Sequence, residues 1–329
     1  MADQKPLGSA RKVAAQGRRV QSRIDDIDER HHDAPGSKDE PPPQTGQREY
    51  PRSFDETHLV KPGLERDLET APMYESPEYK GSGKLEDMVA LISGGDSGIG
   101  RAVAVLFARE GADVAISYLE ETADARETKR AVENEGRRCV LLPGDVSDPA
   151  HCRKAVKQTV DTLGGLHILV NNAAFQEHAG SITDITDEHF DLTLKTNLYG
   201  YFYLARAAVP HMKPGSSIIM TGSVTGFQGS KELLDYSMTK GGIHAFARSL
   251  AASLLPKGIR VNAVAPGPVW TPLNPADRPA EEVKTFGSDT PMKRAAQPEE
   301  IAPAYVFLAA PSCASYITGE IFSIIGGYD

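Results

Sequence analysis

The stretch Ser93-Gly94-Gly95-Asp96-Ser97-Gly98-Ile99-Gly100 joins a short apolar run to an amphipathic segment. Its glycines at 94, 98 and 100 allow a tight turn and a close approach of the backbone to a ligand. A helix that begins directly after such a turn presents its N-terminal amides to a phosphate group. The stretch therefore predicts a dinucleotide-binding turn, although the spacing by itself also fits an ordinary glycine-rich turn between a strand and a helix.

From Leu85 onward, short apolar runs alternate with longer amphipathic segments. The runs are too short for helices and too continuously apolar for half-exposed strands, which indicates strands buried on both faces. We predict strands at residues 88–93, 113–118, 138–142, 166–171, 217–221, 259–265 and 320–325. We predict helices at residues 99–110, 121–135, 148–163, 187–212, 236–255 and 298–309. This alternation predicts an α/β fold with a single doubly wound, Rossmann-like parallel sheet of about seven strands.

The first 84 residues hold nine of the 23 prolines and show no sustained periodicity. Residues 1–48 are almost purely polar, and we expect a disordered tail; their acid-poor, basic start leaves a mitochondrial transit peptide as the alternative. Residues 49–84 carry apolar side chains between prolines, and we expect an extended strap that docks on the domain or on a neighbouring subunit, with a flexible linker as the alternative. Residues 85–329 then form the dinucleotide-binding catalytic domain.

Composition excludes several classes of partner. The chain has 36 basic and 45 acidic residues and a net charge of −9, which argues against nucleic acid and anionic membranes as partners. No apolar run approaches the ~18 residues that a membrane span requires. The three cysteines form no CxxC motif, which indicates a reduced, cytoplasmic setting, and the histidines lack metal-ligand spacing, so we predict no metal site.

Tyr236 and Lys240 are four residues apart and so share one face of a predicted helix, with Ser223 thirteen residues earlier at the end of a strand. A phenol titrates near ~10, and one ammonium at about 5 Å supplies ~3 kcal/mol toward the phenolate at an effective dielectric near 20. Helped by an oxidised nicotinamide, Lys240 is therefore expected to bring the pKa of Tyr236 down into the working range of an acid/base. The alternative is an ordinary half-buried tyrosine beside a solvated lysine.

With Asn171-Asn172-Ala173-Ala174, Asn197 and Pro266-Gly267-xxx-Thr271, these motifs resemble the short-chain dehydrogenase/reductases over residues 85–329. The strap and the residues around Tyr236 resemble an N-terminally extended subgroup described as glucose/ribitol-dehydrogenase-like or aldehyde-reductase-like. The chain departs from the pattern at Ser93, where the family usually has Thr, and at Ala174, where it usually has Gly. It also lacks the usual Asp or Asn before the glycines at 326 and 327.

The resemblance implies an oxidoreductase that transfers a hydride between a nicotinamide cofactor and a small aldehyde, ketone, sugar or polyol. It implies that Tyr236 exchanges the hydroxyl proton and that Ser223 hydrogen-bonds the carbonyl oxygen. Lys240 would hold the nicotinamide ribose, and Asn197 would anchor a water. A non-catalytic dinucleotide-binding sensor or interaction protein is the alternative, and an enoyl reductase is a rival within the fold, disfavoured because its tyrosine and lysine are more widely separated.

The same resemblance assigns residues to each ligand. The cofactor set is Gly94, Asp96, Ser97, Gly98, Ile99, Gly100, Ser117, Tyr118, Leu119, Asp145, Val146, Asn172, Ala173, Ala174, Tyr236, Lys240, Pro266, Gly267, Val269 and Thr271. The substrate set, which we expect to line the pocket together with the loop from residue 271 to about 294, is Ser223, Phe175, Gln176, Phe227, Gln228, Tyr236 and Trp270. Glu120 and Glu121 follow the second strand without a nearby base, which favours NAD over NADP while leaving both open. Surplus apolar residues within 187–212, where the family packs subunits together, imply a homotetramer.

Overall fold

The computed structural model describes residues 15–16, 18–27, 41–46 and 48–327. The chain divides into two compact units, Met1–Pro43 and Gln44–Asp329. In the first unit, residues 18–27 are helical and mostly exposed. Much of the tail expected at residues 1–48 lies outside the described residues, so its disorder and the transit-peptide alternative stay predictions. None of the described residues belongs to a helix long and apolar enough to cross a membrane.

The second unit is built on seven parallel strands in the order β3-β2-β1-β4-β5-β6-β7. The strands are β1 Val89–Ser93, β2 Asp113–Tyr118, β3 Cys139–Pro143, β4 Ile168–Asn171, β5 Ser217–Thr221, β6 Arg260–Pro266 and β7 Ile321–Ile324. Five of them, β1, β2, β4, β5 and β6, are buried along their whole length, as continuously apolar strands of a covered parallel sheet should be. The predicted doubly wound sheet is confirmed.

Helices cover both faces of this sheet. They are α1 Gly98–Arg109, α2 Thr122–Asn134, α3 Pro149–Leu163, α4 Asp187–Leu194, α5 Gly200–Ala208, α6 Leu234–Leu254 and α7 Pro298–Ala309. The predicted helix 187–212 is divided, because a π-helical turn at Lys195–Tyr199 separates α4 from α5 and a 3₁₀ turn at Val209–His211 ends the segment. Short helices not predicted from the sequence occupy Thr225–Gln228, Ala280–Val283 and Pro311–Ala314.

Two apolar cores lie on opposite faces of the sheet. One packs α1, α2 and α7 against side chains such as Ile92 and Ile116, and the other packs α3, α5 and α6 against side chains such as Leu91 and Leu169. Alternate residues of a strand point to opposite faces, which is why neighbours in β1 belong to different cores. The chain winds in opposite directions from β1 and β4, and a crevice opens at the carboxyl ends of these two strands.

The strap, residues 49–84, lies along the domain as irregular chain. Phe54 stacks on Trp270 with ring centroids 3.8 Å apart, and the indole Nε1 donates to the carbonyl of Thr70 at 2.8 Å. With Leu59 and Leu68, these rings form a third apolar cluster that includes the loop after β6. The strap therefore packs on this loop, at the carboxyl end of the sheet.

The last residues of the strap close around the carboxylate of Glu110. This group accepts hydrogen bonds from Tyr79 Oη, from the backbone amides of Ser82 at 3.0 Å and Lys84 at 2.9 Å, and from Lys84 Nζ at 3.1 Å. Burial alone would raise the pKa of Glu110, but these hydrogen bonds stabilise the charged form and lower it from 4.5 to about 2. A single ionised side chain thus fixes the junction between strap and domain.

Candidate active site

A cleft of about 970 Å³ lies at the carboxyl ends of the central strands. Every residue predicted to bind the cofactor lines this cleft except Gly100. Gly100 is packed instead against the turn itself, since a Cβ added there would lie 1.9 Å from the carbonyl oxygen of Gly94. The glycine-rich turn is therefore compact, and its first helical turn faces the cleft through Gly98 and Ile99.

The glycine-rich turn is tied to the loop after β4 by hydrogen bonds. Ser93 Oγ accepts from the backbone amides of Asn172 at 2.9 Å and Ala173 at 3.2 Å, so serine supplies here the hydroxyl that threonine supplies in the family pattern. Asn172 Nδ2 donates to the carbonyl of Gly94 at 3.0 Å. Asn172 therefore both joins the two loops and lines the cleft.

The strap reaches the N-terminus of α1. Glu65, which is 2% exposed, accepts a hydrogen bond from the amide of Gly98 at 2.6 Å and pairs with the buried guanidinium of Arg101. Burial raises the pKa of Glu65, and Arg101 opposes that rise. Arg101 in turn donates to the carbonyl of Asp96 at 2.7 Å, which holds the turn in place. These contacts fit a dinucleotide-binding turn that is held in place by Glu65 of the strap and by Arg101 of α1.

The far end of the cleft, formed by the residues that follow β2 and β3, is acidic. Asp96 and Glu121 both line it, and each is less than a tenth exposed. Burial, followed by the charge of Glu121, raises the pKa of Asp96 to about 7. Among the described residues at this end, Ser117 to Glu121 and Gly144 to Val146, none is a lysine or an arginine. This end offers carboxylates, which suit ribose hydroxyls.

Three of the predicted catalytic residues meet at the other end of the cleft. Tyr236 and Lys240 lie one turn apart on α6, and Lys240 Nζ is 5.2 Å from the centre of the Tyr236 ring. Lys240 Nζ donates to the carbonyl of Thr221 at 2.9 Å, at the end of β5. Ser223, two residues further on, lies close enough to Tyr236 to lower the pKa of its phenol. The end of β5 and one face of α6 thus bring a hydroxyl, a phenol and an amine together.

The pKa values of this group differ from the expectation. Burial raises the pKa of Tyr236; Ser223 lowers it, and the charge of Asp277 raises it further. Burial also lowers the pKa of Lys240 to about 7. The predicted depression of the phenol pKa assumed a fully charged ammonium, whereas the same burial disfavours the charge on both groups. In this arrangement Tyr236 holds its proton at neutral pH.

Asn197, the fourth predicted catalytic residue, lies on the π-helical turn and does not line the cleft. Its Oδ1 accepts from the amide of Phe175 at 2.8 Å, and its Nδ2 donates to the carbonyl of Phe175 at 2.9 Å and to Thr239 Oγ1 at 3.1 Å. Asn197 thereby fastens the loop after β4 to the helix that carries Tyr236. Its role with water stays a prediction.

The predicted substrate residues separate into two groups. Phe175 and Gln176 line the cleft beside Ser223 and Tyr236, as expected. Trp270 does not, because its ring is 1% exposed and buried beneath Phe54 of the strap.

Phe227 and Gln228 also lie outside the cleft. They border a separate small recess with Ser323 and Ile325, because the short helix Thr225–Gln228 turns away after Ser223. The expectation that these two residues and Trp270 form substrate walls is therefore corrected.

Two features of the reaction end were missed from the sequence. Lys61, Pro62 and Gly63 of the strap line the cleft directly. The loop after β6 was expected to border the substrate, but the position of Asp277 within this loop was not foreseen. A carboxylate oxygen of Asp277, a carboxylate oxygen of Glu177 and a ring nitrogen of His178 all lie within 4.8 Å of one another. Asp277 already accepts from the amide of His178 at 2.6 Å and from Gln176 Nε2 at 2.5 Å, so the carboxylate is engaged within the protein.

A doubly wound sheet with a dinucleotide-shaped cleft, ending at a buried tyrosine, lysine and serine, defines the class of nicotinamide-dependent oxidoreductases. The family described as "Enoyl-(Acyl carrier protein) reductase" matches residues 94–329. The chain belongs to the short-chain dehydrogenase/reductase family. It is an NAD(P)-dependent enzyme that transfers a hydride between the cofactor and a small carbonyl or alcohol.

Relatives and solved structures agree with this membership. The chain is 47% identical over 274 residues to "NADPH-dependent aldehyde reductase 1, chloroplastic" of Arabidopsis thaliana, covering 82% of this chain and 95% of that protein. It is 47% identical over 274 residues to "Glucose and ribitol dehydrogenase" of Daucus carota, covering 81% and 94%. A short-chain dehydrogenase from Burkholderia cenocepacia J2315 in complex with NADP superposes with a TM-score of 0.69 at 33% identity, covering 74% of this chain and 98% of that one. The predicted subgroup resemblance is confirmed.

Proposed function

We propose that Tyr236 is the acid/base of a carbonyl reductase or alcohol dehydrogenase, with Ser223 and Lys240 as its partners. The observation that carries this proposal is the buried phenol of Tyr236, which lies beside Ser223 and one helical turn from Lys240 in the cleft that the glycine-rich turn also lines. An unrelated structural tyrosine would have no reason to meet these groups at the carboxyl edge of the sheet.

The proposed chemistry is proton transfer coupled to hydride transfer. A bound nicotinamide ring supplies the hydride to the carbonyl carbon in reduction and accepts it in oxidation. In reduction, Tyr236 Oη gives its proton to the carbonyl oxygen, which becomes the hydroxyl of the alcohol. Ser223 Oγ donates a hydrogen bond to the same oxygen, stabilising the negative charge that develops there. Lys240 Nζ, held by Thr221, lies beneath the phenol and is placed to bind ribose hydroxyls.

The two directions should respond oppositely to pH. Because burial raises the pKa of Tyr236, the phenol is ready to donate a proton, and reduction requires this form. Oxidation requires the phenolate, so its rate should rise as the pH rises. We expect reduction to be favoured at neutral pH, and an oxidation rate that falls with rising pH would contradict this assignment.

The substrate end favours a small neutral carbonyl compound. Phe175 and Leu233 supply apolar surface, and Gln176 and Ser230 supply neutral polar groups. The relatives named for aldehyde reduction and for glucose and ribitol oxidation support aldehydes, sugars and polyols as the class to test.

Substitution of the phenol tests the proposal. Tyr236→Phe should lower turnover by about 10²- to 10⁴-fold, the usual contribution of a general acid, while leaving the dinucleotide Kd within twofold. Tyr203→Phe, a half-buried tyrosine on α5 outside the cleft, is the matched control and should be as active as the wild type. Loss of dinucleotide binding together with turnover in Tyr236→Phe would instead indicate a structural role. Wild-type protein that binds the dinucleotide but reduces no aldehyde, ketone or sugar would favour the sensor alternative.

A second candidate is enoyl reduction, which the description of the matching family names. The single helical turn between Tyr236 and Lys240 favours the carbonyl reaction over it. Supplying an α,β-unsaturated thioester and an aldehyde in parallel distinguishes the two. Faster reduction of the carbon–carbon double bond would replace the carbonyl assignment.

For the cofactor, we infer a preference for NAD. Glu121 and the partly ionised Asp96 at the far end of the cleft would repel a 2′-phosphate but accept hydrogen bonds from a free 2′-hydroxyl. We expect kcat/KM to be at least about fivefold higher with NADH than with NADPH. Equal or reversed values would contradict the inference, and they would bring the chain into line with its relative named for NADPH.

A homotetramer and a cytoplasmic setting complete the proposal. Large side chains on α4, the π-helical turn, α5 and α6 are exposed on the described surface, among them Phe190, Tyr199, Phe202 and Met238. We expect light scattering to give the mass of four chains and Phe202→Asp to lower it. The three cysteines are free thiols, which supports a reducing compartment; cell fractionation tests it.

A further inference from the structure

Lys61 of the strap joins the two loops that border the reaction end of the cleft. Its Nζ donates to the carbonyl of Gln176 at 2.7 Å and to the carbonyl of Ala276 at 2.9 Å, and it pairs with Glu177 at 3.0 Å. Gln176 and Glu177 belong to the loop after β4, whereas Ala276 belongs to the loop after β6. An ammonium has three N–H donors, and these three acceptors use all of them.

A buried carboxylate lies next to the two residues whose carbonyls Lys61 binds. Asp277, which is 1% exposed, follows Ala276 in the chain and accepts from Gln176 Nε2 at 2.5 Å. Asp277 also acts on Tyr236 through its charge. Lys61 therefore fixes the backbone on both sides of the contact between Gln176 and Asp277, next to the proposed acid/base.

The position of Lys61 is itself fixed from both directions along the strap. On one side, Phe54 stacks on Trp270 and the amide of Leu59 donates to the carbonyl of Pro275 at 2.9 Å. On the other side, Glu65 is anchored at the start of α1. The backbone that carries Lys61 is therefore held on both sides, which keeps the ammonium within reach of its three acceptors.

We propose that Lys61 is a positioning residue for the substrate, which holds the loops after β4 and β6 at the spacing that turnover requires. The inference rests on the proposed function of the same cleft. The proposal gives the strap a part in substrate binding. Without the strap, the dinucleotide-binding domain would lack the residue that joins these two loops. Since Lys61 uses its donors on the protein, it shapes the site and does not bind the substrate directly.

Three variants test the proposal. Lys61→Met keeps the length of the side chain and removes its donors, and Lys61→Arg restores a cation with several donors. Glu56→Gln is the matched control, because the carboxylate of Glu56 pairs with Lys284 at 3.0 Å and so also joins the strap to the loop after β6. Unlike Lys61, however, both of these side chains are more than half exposed. Each full-length variant is assayed for aldehyde KM and kcat, for NADH Kd by the fluorescence of the nicotinamide, and for hydrogen exchange of residues 175–181 and 272–290.

We expect Lys61→Met to raise the aldehyde KM about 5- to 20-fold, to change kcat and the NADH Kd by less than threefold, and to speed hydrogen exchange in both loops. Lys61→Arg should recover most of the KM, and Glu56→Gln should resemble the wild type. An unchanged KM, or equal losses of aldehyde and NADH affinity, would overturn the inference. If the wild type reduced no carbonyl compound, the proposed function would fail, and unchanged exchange in Lys61→Met would then also refute the bridging role.

Discussion

Neutralising Glu110 should detach the last residues of the strap in a pH-dependent way. At about 1.4 kcal/mol per pKa unit, the fall of its pKa from 4.5 to about 2 corresponds to roughly 3 kcal/mol of stability. Lys84 at the edge of the cluster is one-third exposed, so solvent screening reduces the expected contribution to roughly 2 kcal/mol. Because the pKa is lower in the folded state, this contribution is complete above pH 4.5 and is lost as the pH falls toward 2.

The assay is urea unfolding of the wild type and Glu110→Gln at pH 7 and pH 3, at one fixed protein concentration. The variant should be less stable than the wild type by roughly 2 kcal/mol at pH 7. More than half of this difference should vanish at pH 3, because the stabilisation of the wild type by ionised Glu110 is already partly lost at that pH. Glu133→Gln, which breaks only the exposed pair with Lys129, is the control and should change stability by less than about 0.5 kcal/mol. Equal stability of Glu110→Gln and wild type at pH 7, or a difference that stays the same at pH 3, would refute the reasoning.

Three further predictions follow from burial. Phe54→Ala removes a ring that is 5% exposed and should lower the free energy of unfolding by about 3 kcal/mol in the same assay; a loss below about 1 kcal/mol would mean that the strap contributes little. Lys240→Met should abolish turnover yet raise the free energy of unfolding by about 1–3 kcal/mol below pH 7. Burial lowers the pKa of Lys240 to about 7, whereas in the unfolded chain it is near 10.5, so the wild type should regain this difference as the pH rises from 7 to 10.5. A difference in stability that does not depend on pH would contradict the account. Burial raises the pKa of Cys139 and Cys152 to about 12, so a maleimide should label only Cys313 in the native protein, and rapid native labelling of three thiols would be inconsistent with the structure.

The sheet was predictable because its signal is local. A strand covered on both faces is apolar at most of its positions, so short runs such as Asp113–Tyr118 can be located within the chain without knowing their partners. The glycine-rich turn and the spacing between Tyr236 and Lys240 are likewise contained in a few consecutive residues. These local patterns carry the family resemblance, and all the residues that it assigns to the cofactor except Gly100 line one cleft.

The strap and the substrate walls depend on contacts between residues that are distant in sequence. Trp270 was expected in the substrate site, but its large ring is covered by Phe54, more than 200 residues earlier. The role of Lys61 likewise depends on two carbonyls, and backbone carbonyls have no sequence signature. The π-helical turn escaped prediction for a related reason, since the apolar periodicity of residues 187–212 continues through it.

The pairing of Phe54 with Trp270 also has a consequence for how the protein is made. The ribosome synthesises the strap before the indole that it covers, because Trp270 follows Phe54 by about two hundred residues. During that interval the aromatic and aliphatic side chains of the strap have no native surface to cover and are available to chaperones or to neighbouring nascent chains. Docking of the strap is therefore expected to be a late step of folding, because it must wait until the loop after β6 has been synthesised.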